Sequence, residues 1–114
     1  LKLCQVRLND NVKFPWIMLL PKRKGVGQIL DLNRKDQIRL MDEIQYCSKV
    51  MKKHFTCLNL NVEKVGNIIP QLHIHVIARH KQDPSWPLSV WVVKGKPYTK
   101  VALAKILEKL KKVI

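Results

Sequence analysis

The sequence predicts an α+β fold, with an antiparallel sheet covered on one face by a long helix and a second helix at the C-terminus. Three patterns carry this expectation. Residues 58–62 and 71–79 alternate apolar and polar side chains, the period of a strand. Leu40, Ile44, Cys47 and Met51 recur at spacings of one helical turn and mark one helix face. Two short apolar runs near the N-terminus flank Asn9-Asp10-Asn11, a turn-forming cluster. With 114 residues and no repeat, low-complexity tract or Gly/Ser linker, the chain reads as one domain, 1–114, around one core.

Taken in order, residues 2–8 and 16–20 form the expected hairpin, and its second strand, WIMLL, is apolar enough to be buried on both faces. Pro21 and the basic stretch after it end that strand. Asn33 followed by Asp36 resembles a capping box with the shorter aspartate in the glutamate position. The helix it opens runs to about His54, and Lys49, Lys52 and Lys53 near its end suit the helix dipole. In 58–62, Leu58, Leu60 and Val62 face one way, Asn59 and Asn61 the other. In 71–79, Leu72, Ile74, Val76 and Ala78 oppose Gln71, His73, His75, Ile77 and Arg79. Packing both apolar faces under the helix gathers Asn59, Asn61, Gln71, His73 and His75 into a polar cleft on the other side. Pro84 and Pro87 make the following segment a loop or extended arm. From about Tyr98 a second helix carries the stripe Leu103, Leu107, Leu110 and Ile114.

Net charge is +14, from 22 basic and 8 acidic residues, enough to attract polyanions. The lysines are spread along the whole chain without an arginine cluster, so a solvated surface is the simpler reading. A nucleic-acid-binding domain with Trp86 and Trp91 as stacking platforms is the competing one. No stretch reaches the roughly 20 apolar residues that span a bilayer. LKLCQVRL lacks the apolar core and cleavage site of a signal peptide, and Leu1, not being methionine, suggests that the sequence begins inside a longer chain. Cys4, Cys47 and Cys57 are odd in number, with no C-x-x-C pair. They read as free, mostly buried thiols of a reducing compartment, which points to a cytoplasmic protein.

The chemistry concentrates in His73 and His75. Two residues apart on a strand, their side chains share a face at roughly 6.6 Å. One imidazole then attacks phosphorus while the other holds an oxygen or the leaving group. An imidazole is largely neutral at cellular pH and therefore nucleophilic. The attacking ring needs its second nitrogen fixed by an acceptor, usually a backbone carbonyl. Before the strand, Gly66 allows close backbone approach, and Asn67 to Ile69 offer N–H groups to phosphate oxygens. A zinc site of His73, His75 and His80 is disfavoured. Alternation puts His80 on the other face, and no cysteine is spaced to complete a tetrahedron.

The stretch Pro70-Gln71-Leu72-His73-Ile74-His75-Val76-Ile77 closely resembles the His-φ-His-φ-His-φ-φ signature of the histidine-triad (HIT) superfamily, with glutamine in the first histidine position. Together with NVEKVGN, FPWIMLLPKR and ARHKQDPSWP, it resembles the proteobacterial branch of that family from about Leu3 to Trp91. The resemblance implies a HIT-like α+β fold with about five antiparallel strands, one long helix and a C-terminal helix, usually as a homodimer whose sheets join. It also implies binding of purine nucleotides and cleavage of nucleoside phosphoramidates or dinucleoside polyphosphates, with no cofactor or required metal. On this alignment His73 is the nucleophile that becomes nucleotidylated, His75 contacts the α-phosphate region and Gln71 replaces the first histidine. Asn61 and Asn67 match polar positions near nucleophile and phosphate, and Asn9 or Asp10 lies near the ribose position. The chain departs from the family at three places. Gln71 does not titrate. Ile68 replaces a Ser or Thr hydroxyl and leaves only its N–H, and Trp16 replaces a further histidine. A fold that holds nucleotide without turning it over is the alternative these departures suggest.

Overall fold

A computed structural model describes all of residues 1–114. Its strands are β1 (Cys4–Leu8), β2 (Trp16–Pro21), β3 (Asn59–Glu63) and β4 (Ile74–Arg79). Its helices are α1 (Arg34–His54) and α2 (Lys100–Val113). Short 3-10 turns occupy Ile29–Asp31 and Val90–Val92. All pairings are antiparallel, and the strand order is β1-β2-β4-β3. The sheet has four strands rather than about five, because neither the stretch after β2 nor the one after β4 joins it. Proline at 84, 87 and 97 removes backbone donors from the second of these.

The helix starts where its cap dictates. The Asn33 side chain accepts from the N–H of Asp36 at 2.8 Å. The reciprocal half of the expected box is missing, since the Asp36 carboxylate pairs with Arg23 at 2.7 Å. Leu40, Cys47 and Met51 are buried against Ile17, Leu19, Leu72, Ile74, Val76 and Ala78, while Ile44 packs at the margin. Two polar residues share that face, Asp36 at its start and Glu43, which accepts from the backbone N–H groups of Leu3 and Cys4 at 2.9 and 2.8 Å and ties α1 to the start of β1. Of the C-terminal stripe only Leu110 is buried.

The second face of the sheet is covered as well. A smaller apolar cluster of Phe14, Trp16, Ile77 and Val90 sits there beneath the arm that follows β4. All six residues of β4 are consequently buried. The expected polar cleft is thereby shortened, since Ile77 and Arg79 lie under the arm and only the N-terminal end of the strand stays open. Leu58 and Val62 do not pack under α1; both are exposed, and Leu60 alone reaches the core from β3. Their position on an edge strand accounts for this, because α1 lies against β4. The three cysteines are free, with Cys4 and Cys47 buried. Burial, reinforced by Glu43, pushes the Cys4 thiol up to about 12 and the Cys47 thiol up to about 11. No helix is long and apolar enough to cross a membrane.

Candidate active site

At the open end of β4 lies a cavity of about 480 Å³. Both histidines line it, together with Asn9, Gly66, Asn67 and Ile68. Apolar walls come from Met18, Val65, Ile69 and Trp91. None of the 22 lysines and arginines lines it.

His73 stands one residue ahead of β4, outside the ladder itself. Its Nδ1 lies 2.7 Å from the carbonyl oxygen of Gln71. A carbonyl only accepts, so Nδ1 carries the proton and the neutral ring keeps a free lone pair on Nε2. Gly66 permits this placement. A Cβ there would collide with Nε2 and Cε1 of the ring, and the residue's φ of +104° is one that L side chains rarely adopt. The Nε2–Cε1 edge of the ring therefore packs against bare backbone.

His75 lies within β4, opposite Met18 on β2 and Glu63 on β3. Its ring centre is 5.1 Å from that of His73, with the planes at 80°. Here Nδ1 accepts from the indole N–H of Trp16 at 2.9 Å. The neutral ring therefore carries its proton on Nε2, the opposite tautomer to His73. Nε2 is buried and has no hydrogen-bond partner, as is Glu63 Oε2. Burial holds the pKa of His75 below the ordinary histidine range, with His73 adding to the effect and Glu63 opposing it. Glu63 accepts the indole N–H of Trp91 at 3.0 Å through its other oxygen.

Several expected residues are placed elsewhere. Asn61 accepts from Arg79 Nη1 at 2.7 Å and does not line the cavity. That guanidinium is almost wholly buried and also donates to Asp83, Ser85 and the Leu88 carbonyl. The chain bends at Gln71, so its side-chain amide turns away and donates to the Pro21 carbonyl at 3.1 Å. Between Asn9 and Asp10, Asn9 is the residue at the cavity; Asp10 accepts from the Tyr98 N–H at 2.9 Å and anchors the C-terminal segment. His80 lies beyond the far end of β4, close to Gln82. Met18, Val65 and Trp91 are wall residues that sequence reasoning missed, and Ile69, expected to offer a backbone N–H, also supplies an apolar wall. Val65 directly precedes the Gly-Asn pair and was within reach of the motif. Trp91 carried no local signal for this site, because an arm's path across a sheet leaves no periodicity.

This fold and histidine pair define a class. The HIT domain family model matches residues 1–82, so the chain belongs to the histidine-triad family of nucleotide hydrolases and transferases. Solved structures agree. A histidine triad protein from Bradyrhizobium japonicum superposes with a TM-score of 0.94 at 34% identity, covering 100% of this chain and 86% of that one. One from Sinorhizobium meliloti gives 0.93 at 33%, covering 100% and 85%. One from Marinobacter aquaeolei gives 0.93 at 36%, covering 98% and 82%. No curated protein matches.

Proposed function

We propose that the protein is a nucleotidyl hydrolase or transferase that works through a covalent nucleotidyl-His73 intermediate. The observation that carries this reading is the ring of His73, which lines the cavity with its Nδ1 proton on the Gln71 carbonyl, so that Nε2 keeps its lone pair for attack. In the first step Nε2 attacks the α-phosphorus, the P–N bond forms and the bond to the leaving group breaks. The adduct is an imidazolium whose Nδ1 proton is stabilised by the same carbonyl. Water then attacks phosphorus, releases the nucleotide and returns His73 as a neutral ring.

Placement supports the other roles in this reading. The N–H groups of Gly66, Asn67 and Ile68 make no backbone hydrogen bond within the protein and suit the phosphate oxygens. His75 Nε2 donates to a non-bridging oxygen. Met18, Val65, Ile69 and Trp91 form an apolar slot for a purine, and Asn9 reaches the ribose. Two copies joined through the free edge of β3 make the proposed functional unit.

Quenched incubation with a diadenosine polyphosphate is expected to add one nucleotidyl group, mapped to His73. His73→Ala is expected to retain nucleotide binding and lose turnover by at least about 1,000-fold. Turnover unchanged in that variant rules the mechanism out. Nucleotide binding without turnover of any adenylated substrate by the wild type would instead identify a non-catalytic binding module.

A further inference from the structure

We propose that Trp16 is a positioning residue that locks His75 as a hydrogen-bond donor unable to release a proton, so the site favours nucleotidyl substrates whose leaving group departs unprotonated. The inference rests on the hydrolase reading above and deepens it to a substrate class.

An indole N–H donates and has no acceptor. While Trp16 donates to His75 Nδ1, that nitrogen has no room for a proton of its own. Turning His75 into an imidazolium sets two N–H groups against each other. Trp16 is held in place: it is buried, and Phe14 and Trp91 pack edge-on against it with ring centres at 6.4 and 5.0 Å. The groups that face His75 are Trp16 and Met18 from β2, Glu63 from β3, Trp91 from the arm and His73 beside it. Glu63 is the one charged group among them, and one of its oxygens is engaged by Trp91.

No other side chain at the cavity replaces the missing acid. Gln71 is an amide turned toward Pro21. The only proton on His73 is on Nδ1, committed to a carbonyl. An amine expelled from a phosphoramidate has to acquire a proton as the P–N bond breaks, because an amide anion is far too basic to leave. A phosphate, carboxylate or phenolate leaves as it is. For these the P–O bond breaks, oxygen keeps the electron pair, His73 Nε2 bonds to phosphorus, and no proton moves.

Two measurements on the full chain test this. In imidazole ¹⁵N–¹H correlation spectra between pH 5.5 and 8, wild-type His75 is expected to keep a pyridine-like Nδ1 and a protonated Nε2. Trp16→Phe is expected to mix tautomers and to titrate. With adenosine 5′-phosphate esters and phosphoramidates, the wild type is expected to cleave the p-nitrophenyl ester at least about 100-fold faster than an alkylamine phosphoramidate. A protonated Nδ1, or wild-type titration near the ordinary histidine range, overturns the lock. Comparable rates on the two substrates overturn the selection. The wild-type spectrum decides the lock by itself, so a Trp16→Phe chain that does not fold leaves it exposed to refutation. No turnover of either substrate, beside the expected spectrum, overturns the hydrolase reading and the selection with it, while the tautomer lock stands.

Discussion

Below the ordinary histidine range, His75 becomes a cost to the folded state. Its pKa is lowered in the fold by burial and by His73, while the unfolded chain takes up a proton near 6.5. The unfolded state therefore binds more protons as pH falls through 6.5. Stability is full above that value, declines below it with a slope of up to about 1.4 kcal/mol per pH unit, and levels off under the folded pKa. Asp36, held below its usual range by Arg23, and Asp83, where the opposing effect of burial is outweighed by Arg79 and the backbone N–H groups of His80, Trp86 and Ser85, act separately. Their contribution is lost only as pH falls below 3.8. Urea midpoints at pH 7.5 and 5.5 are expected to differ in the wild type and to converge in His75→Gln. Equal wild-type midpoints would remove the argument. At this scale the sequence was informative about which residues matter and silent about their protons. His-x-His placed two rings on one face, yet their opposite tautomers depend on Gln71 bending away and on Trp16 lying across the sheet.

Among the elements, β4 and the arm are joined by one buried guanidinium. Arg79 donates to Asp83 at 2.6 and 3.1 Å, to Ser85 at 3.2 Å and to the Leu88 carbonyl at 2.6 Å. The rings of Phe14 and Trp86 lie within 5.4 and 5.8 Å of it. Two prolines in the arm correctly exclude a strand there. No pattern of apolar spacing reveals that a buried arginine folds the arm back over the sheet and carries Trp91 to the cavity. α1 and β4 were legible because each presents a repeating face to the core. β3 was half legible, since alternation gives its faces but not its edge position. Asp83→Asn leaves the Arg79 charge buried and poorly compensated, and is expected to cost about 3–5 kcal/mol. Chemical denaturation measures the loss, and a red-shifted tryptophan emission is expected as the arm loosens. A midpoint within error of the wild type would mean that the arm is held by its apolar contacts alone.

Over the whole molecule, charge and strand order act on different surfaces. The +14 excess leaves the cavity free of cations, so it sets the long-range field, while the catalytic proposal rests on neutral rings and backbone N–H groups. The strand order leaves two edges, β1 and β3, each a row of unpaired backbone groups ready to accept another strand. Charge chooses between them. Antiparallel pairing of two β1 edges would bring Arg7 of each copy, with the neighbouring Lys2 and Lys22, into a like-charged row. β3 has no basic residue between Asn59 and Glu63, its one adjoining lysine, Lys64, follows an acidic residue, and Leu58 and Val62 leave apolar surface exposed beside its edge. The proposed homodimer therefore joins at β3, close to the Glu63 that holds Trp91. Sedimentation equilibrium is expected to give about twice the chain mass of 13.3 kDa. Val62→Lys, which adds a charge beside that edge without touching the core, is expected to return the protein to the single-chain mass. A wild type that sediments as one chain at micromolar concentration rules out the β3 pairing, as does a Val62→Lys protein that stays dimeric.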